Sequence, residues 1–267
     1  MNEFISHNTQ KLSKTRTARY ALLKTRKGRR KEGLFIVQGL KAVRDTIDHF
    51  ELESLILSGN LEPLSSDMAE FLESRDAKLK ERIFLATESE MKKISTLNDL
   101  PDIMAVYRIP VYEPTPKLSE EDEFILVLDG VSDPGNFGTI IRSAHWFGIK
   151  EIYCSSECPD LYNPKVVQST MGSMAKVRVH YVDLKQLLED NAHLPVYGLL
   201  LEGKDIFQCK DFNKGFIVMG NEGHGISEEI RSQITDPLTI PPKSPDDKPE
   251  SLNVAIATAI TLAVILS

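Results

Sequence analysis

The stretch LDGVSDPGNFGTIIRSAHWFG, Leu128–Gly148, decides how this chain is read. The apolar run FILVLDGV (124–131) reads as a buried strand. It stops at Asp133-Pro134-Gly135-Asn136, where turn residues open a helical pattern. Gly135 and Gly138 supply backbone that turns tightly and lets a ligand come close. Asn136 falls near the helix start, where free N–H groups attract an anion. Arg142 leans back toward that end, because helical side chains tilt N-terminally, and it can fork a pair of phosphate oxygens.

Two later stretches repeat the theme. FIVMGNEGHGIS (216–227) is a strand running into Gly220, Gly223 and Gly225, with Asn221 and Glu222 in the turn. Its spacing is neither the dinucleotide fingerprint nor a phosphate loop, since no Lys-Ser/Thr follows. IPPKSPDDKPESLNVAIATAI (240–260) closes a strand at Ile240 and crosses a polar loop to a very apolar helix. Ser251 is the expected N-cap of that helix, with Asn253 in its first turn.

Strands alternate with helices on both sides, which implies an α/β protein. In the front part GLFIVQG (33–39), LESLILS (52–58), ERIFLAT (81–87) and DIMAVYRI (102–109) read as strands. In the rear part six apolar runs read as strands, near-continuous rather than alternating, as in a parallel sheet covered on both faces. The proline- and charge-rich stretch 110–122 is the expected linker, giving domains over 1–109 and 123–267. In such open sheets ligands collect at the carboxyl ends of strands, where these glycines and polar residues fall.

The net charge of −7 hides an asymmetry. Residues 11–32, KLSKTRTARYALLKTRKGRRKE, hold ten of the 32 basic residues and one acid. A basic arm on an acidic body suggests phosphate contact. Arg16, Arg19, Lys27, Arg29 and Arg30 are the candidate phosphate-binding residues. The three cysteines, Cys154, Cys158 and Cys209, have no zinc-ligand spacing and no even pairing. They read as reduced thiols, and no metal is expected. There is no leader-like apolar run at the start, and Val254–Leu266 is too short to span a bilayer. The expectation is a cytoplasmic protein with no membrane association.

In order, LDGVSDPGNFGTIIRSA, VMGNEGHGIS and IP…ESLNVAIA resemble the three signature motifs of the SPOUT-class RNA ribose methyltransferases, the SpoU/TrmH-type family. GLFIVQGLKAVRDTI and LNDLPDIMAVYR resemble the smaller L30e-like substrate-binding domain that often precedes the catalytic one. The resemblance implies a deep trefoil knot at the carboxyl end, S-adenosyl-L-methionine as cofactor, a homodimer, and 2'-O-methylation of ribosomal or transfer RNA. Carried over by motif, the cofactor contacts fall on Leu199, Leu200, Gly220, Ile240 and Leu252, and the polar catalytic set on Asn136, Arg142, Glu222, Ser251 and Asn253. Arg142 would grip the RNA and polarise the ribose hydroxyl, with Asn136 and Glu222 orienting the arginine and the ribose. Arg16, Arg19, Lys27, Arg29 and Arg30 then become the RNA-binding set. Two departures stand out: the third-motif loop PKSPDDKP is long and lacks glycine, and Gln168 stands where many members carry arginine. A non-catalytic RNA-binding protein of the same build and a small-molecule enzyme of doubly wound fold are the rival readings.

Overall fold

A computed structural model describes residues 10–59, 65–75, 77–111, 124–244, 246–247 and 249–267. The expected linker therefore lies outside the described residues from 112 onward. The chain divides into two compact units, Met1–Tyr112 with Tyr162–Ala175, and Glu113–Leu161 with Lys176–Ser267.

The first unit is built on a five-stranded mixed sheet of order β1-β4-β3-β5-β2. Its strands are β1 (Gln10–Lys11), β2 (Leu34–Gln38), β3 (Leu52–Ser58), β4 (Ile83–Ala86) and β5 (Ile103–Arg108). β5 runs antiparallel to both β2 and β3, while β4 is parallel to β3 and β1. The basic segment is no loose arm. It folds into α1 (Lys14–Ala21) and α2 (Arg26–Glu32), capped by Ser13 and Thr25. Tyr20 and Leu23 enter the same core cluster as Ile36, Ile56 and Met104, which is what holds the segment down. Gly28 lets α2 close onto the preceding turn, because a side chain there would run into the Leu22 carbonyl.

α3 (Leu40–Thr46), α4 (Ser66–Glu73), α5 (Ala77–Lys80) and α6 (Glu88–Ile94) complete the chain order of this part, and α6 opens with a Thr87/Glu90 capping box. Sequence spacing alone put residues 162–175 in the rear domain, yet their contacts group them with the first unit. The Tyr162 ring lies 4.6 Å from Phe35, in a cluster with Phe50 and Tyr107. That burial is invisible in the sequence, because it depends on where a distant strand presents its side chains.

The second unit has a six-stranded, all-parallel sheet of order β11-β9-β10-β6-β7-β8. The strands are β6 (Ile125–Leu128), β7 (Glu151–Cys154), β8 (Arg178–Tyr181), β9 (Val196–Asp205), β10 (Phe216–Met219) and β11 (Asp236–Thr239). Central β6 and β10 are buried along their whole length, as a sheet covered on both faces requires. The helices are α7 (Pro134–Trp146), α8 (Pro164–Thr170, grouped with the first unit), α9 (Leu184–Asp190), α10 (Glu228–Arg231) and α11 (Val254–Ile265). Helices α7 and α11 pack on each other. The fold is α/β, as expected, and the glycine-rich junctions sit at the carboxyl ends of β6 and β10, which are hydrogen-bonded neighbours. Adjacent strands thus deliver two motifs, some ninety residues apart, to one place.

Candidate active site

The first junction begins with Asp129, which follows β6 and accepts the Ser227 amide at 2.7 Å. Gly130 turns the chain with φ +68°, a conformation that favours glycine. Gly135 and Gly138 lie inside α7 instead, so the expected tight turn belongs to Gly130. Asp133 caps α7 through the Asn136 amide at 2.9 Å, and Pro134 takes the first helical position. The Asp-Pro pair is a legible start signal that sequence reading passed over.

Glu222 reaches this junction from the end of β10. Its carboxylate accepts Ser132 N and Ser132 Oγ, each at 2.9 Å, and Asp133 N at 3.1 Å. It also accepts Asn136 Nδ2 at 3.0 Å. Burial alone would raise this carboxyl, but the hydrogen bonds from Asn136, Ser132 and Asp133 outweigh it and hold it at about 2. The amino end of α7, expected to await an anion, is thus already served by the protein's own Asp133 and Glu222.

Asn136 continues the chain of contacts. Its Oδ1 accepts Asn253 Nδ2 at 3.0 Å. Asn253 Oδ1 accepts the Ala255 and Ile256 amides at 2.9 and 3.3 Å, which makes Asn253 the cap of α11. The expectation that Ser251 is the cap is corrected here. The helix begins two residues later than that reading assumed, and Ser251 is exposed in the preceding loop. Three of the five expected polar residues, Glu222, Asn136 and Asn253, therefore form one continuous relay. Arg142 does not join it: it is exposed on α7 and has no hydrogen bond or ion pair among the described residues.

Asn221 braces the second junction. Its Nδ2 donates to the Gly130 carbonyl at 2.7 Å, and its Oδ1 accepts the Gly223 and His224 amides at 2.8 and 3.1 Å. Gly220 has its own reason for lacking a side chain: a Cβ there would strike the backbone of Gly225 and Ile226.

The expected cofactor residues lie on the other side of β10. Leu199 and Leu200 belong to β9, Gly220 follows β10, and Ile240 follows β11. These three strands are neighbours. β9 pairs Gly198 with Pro237, then rejoins β11 only at Lys204 opposite Leu238. Its pairing with β10 also ends at Gly198. Residues 199–203 carry a register shift between these pairings, with the Leu201 carbonyl accepting Thr239 Oγ1 at 3.2 Å and Gly203 close against the Pro237 and Leu238 backbone. Leu199 and Leu200, half-buried and outside both pairings, have backbone groups and apolar side chains of the kind an adenine edge and a hydrophobic wall take. Leu252 is exposed in the loop before α11. Of that loop, Pro245 and Lys248 lie outside the described residues.

In the first unit the candidate basic residues divide. Arg16, Lys27 and Arg30 are exposed, and Arg16 lies over the Phe84 ring at 4.2 Å. Arg19 is engaged by Glu32 and Glu53 at 2.7 and 3.1 Å. Arg29 is only 2% exposed and donates to the Leu23 carbonyl at 2.9 Å. It braces the turn between α1 and α2 and is closed to RNA.

A family model described as the SpoU rRNA Methylase family matches residues 123–263, and one described as an MRM3-like substrate binding domain matches residues 15–105. The chain belongs to the SpoU rRNA methylase family. The two matches lie one after the other along the chain, and the rear one takes in residues 162–175 of the first unit as well. A solved TrmH-family structure from Porphyromonas gingivalis superposes with a TM-score of 0.80 at 35% identity, covering 95% of this chain and 97% of that one. The fold is therefore that of the TrmH/SpoU methyltransferases. The 23S rRNA (guanosine(2553)-2'-O)-methyltransferase RlmP of Bacillus subtilis is 26% identical over 89% of this chain and 90% of its own. Human mitochondrial rRNA methyltransferase 1 is 34% identical over 51% of this chain. The match spans 43% of the human protein's length, less than half of it. Among the described residues no helix is long and apolar enough to cross a membrane.

Proposed function

We propose that this SpoU-family chain is an S-adenosylmethionine-dependent methyltransferase acting on a ribose 2'-hydroxyl in RNA, ribosomal RNA before transfer RNA. The observation that carries the reading is the Glu222–Asn136–Asn253 relay, in which three separate motifs converge on paired polar side chains at one sheet end. The near full-length likeness to RlmP supports ribosomal RNA as the substrate.

When bound, S-adenosylmethionine supplies an electrophilic methyl group on a sulfonium. Leu199, Leu200, Gly220, Ile240 and Leu252 would hold it through backbone groups and apolar walls. Glu222 is no general base at neutral pH, since it is ionised down to about 2 and its oxygens already accept four hydrogen bonds. It fixes the Asn136 amide, and Asn136 in turn faces the ribose. Arg142 is free to grip an RNA phosphate and polarise the hydroxyl. Alignment of this kind supplies up to about 7–11 kcal/mol in favourable cases. Arg16, Lys27 and Arg30 on the first unit offer further phosphate contacts.

The reading includes a trefoil knot at the carboxyl end and a homodimer. For the dimer, Trp146 at the end of α7 is 85% exposed and Ile256 on α11 is 53% exposed, two large apolar side chains open to a partner surface. The cytoplasm is the proposed location, in keeping with three free thiols. The test is transfer of radiolabelled methyl from S-adenosylmethionine into unmodified total RNA. Label at a ribose of large ribosomal RNA is expected. Label confined to transfer RNA would move the substrate, and no label together with no cofactor binding by calorimetry would overturn the enzyme.

A further inference from the structure

We propose that a cavity of about 710 Å³ in the second unit is the pocket for the target nucleobase, and that it selects guanine. The inference rests on the methyltransferase reading above and adds what that reading leaves open, the base attached to the methylated ribose. The cavity lies at the carboxyl ends of β6, β7, β8 and β10, where Asp129, Ser155, Val182 and Asn221 follow the strands. It is thus away from the β9 register shift, on the far side of β10 in the strand order.

Gly130 and Asn221 line the cavity and also belong to the polar cluster. Ser132, two residues past Gly130, donates to Glu222, the residue after Asn221. The cavity and the polar cluster thus share Gly130 and Asn221, and the proposed arrangement seats in this opening the base of a nucleotide whose ribose meets Asn136. The volume suits a nucleoside-sized group.

The lining has the chemistry of a base pocket. The Tyr181 ring is 40% exposed, and its phenol oxygen is fixed by donating to the Pro159 carbonyl at 2.5 Å and accepting the Leu161 amide at 2.8 Å. A ring pinned in this way is a stacking platform for a base. The charge around it is mainly negative. Glu157, Asp183 and Glu229 face Lys185 and His224, and Lys185 is already 3.6 Å from Glu229. Such a cavity repels phosphate and draws in hydrogen-bond donors.

Two carboxylates have capacity left. Asp129 is 9% exposed, and its Oδ2 alone is used, by the Ser227 amide. Asp183 spends Oδ1 on the Gln186 amide at 3.1 Å as the cap of α9. Guanine presents adjacent N1–H and N2–H donors, which one carboxylate accepts together, and the exposed Asp183 is the carboxylate assigned to them. Uracil sets its single donor between two carbonyl oxygens that a carboxylate repels. Adenine and cytosine place an amino group beside a ring acceptor. Guanine is the base that matches.

The test starts from the methylated position mapped as above, using the full chain and transcripts with guanosine or inosine at that position. Inosine lacks only the N2 amino group. The wild type should prefer guanosine over inosine by about tenfold or more in kcat/KM. Asp183→Asn keeps a good helix cap but loses the charge. It should lower kcat/KM on guanosine by roughly 10- to 100-fold, collapse the preference over inosine, and leave S-adenosylmethionine binding by calorimetry unchanged. A mapped target other than guanosine, equal rates on inosine, or a preference that survives in Asp183→Asn would overturn the guanine pocket while leaving the methyltransferase standing. Failure of the wild type to label any RNA would overturn both, and is a different result from any of these.

Discussion

Asn136, the middle of the Glu222–Asn136–Asn253 relay, and Arg142 sit on the same helix, α7, and could hardly differ more. In the relay each side chain has its partners within the protein, and Glu222 alone accepts four hydrogen bonds. Arg142, six residues further along α7, stands exposed with no partner among the described residues. The difference separates two tasks. Groups that must be aligned before substrate arrives are locked by the fold, and the group that must take hold of the substrate is left for it. The same contrast recurs in the first unit, where Arg29 is sealed in the core and Arg30, its neighbour, is exposed.

The sharpest way to break this comparison is Arg142→Ala. If the arginine serves only the substrate, methyl transfer falls by roughly 100- to 1000-fold, while the thermal midpoint and cofactor affinity stay at wild-type values. A clear loss of thermal stability would show that Arg142 is part of the scaffold after all.

The pair in the first unit comes next. Arg29→Met should cost roughly 2–3 kcal/mol of stability in urea titration, because it strips a buried hydrogen-bonded group. Arg30→Ala should leave stability within about 0.5 kcal/mol yet weaken RNA binding and reduce its salt slope by about one. Equal behaviour of the two would erase the distinction between buried and exposed arginines.

Asn136→Ala tests the centre of the relay. It leaves Glu222 and Asn253 each short of a partner and should cost roughly 1–3 kcal/mol, together with a fall in turnover. Glu222 gives the pH signature. Its carboxyl is lowered from the ordinary 4.5 to about 2, so the stability it adds is fully present above 4.5 and is lost as the pH falls toward 2. Glu222→Gln should therefore be less stable than wild type at neutral pH, with the gap closing across that acid range in equilibrium unfolding. A gap independent of pH would mean that the carboxylate charge plays no part.

The smallest expected effect concerns the cap of α11. Asn253→Ala should cost about 1 kcal/mol and Ser251→Ala less than about 0.5 kcal/mol. The reverse order, read from thermal melts, would restore Ser251 as the cap and take Asn253 out of the relay.

The chain's local signals decided much of this by themselves. Apolar runs bounded by glycine and proline marked the parallel strands, since a strand buried on both faces has no polar side to show. The order of three polar junctions, the first two glycine-bearing, named the family, and Asn136, Glu222 and Asn253 were legible as a set. What the tertiary structure alone decided were the pairings. That Glu222 serves the amino end of α7, that Asn136 meets Asn253, and that Tyr162 packs against Phe35 depend on contacts between residues far apart in the chain. That Asn253 and not Ser251 caps α11, and that Arg29 is inside, are local contacts selected by the packing around them. Strand order brings Glu222 to α7 by setting β6 beside β10, and no local pattern of residue types encodes strand order. The residue kinds that can do the chemistry are written locally, whereas their division into locked and free groups exists only once the sheet has formed.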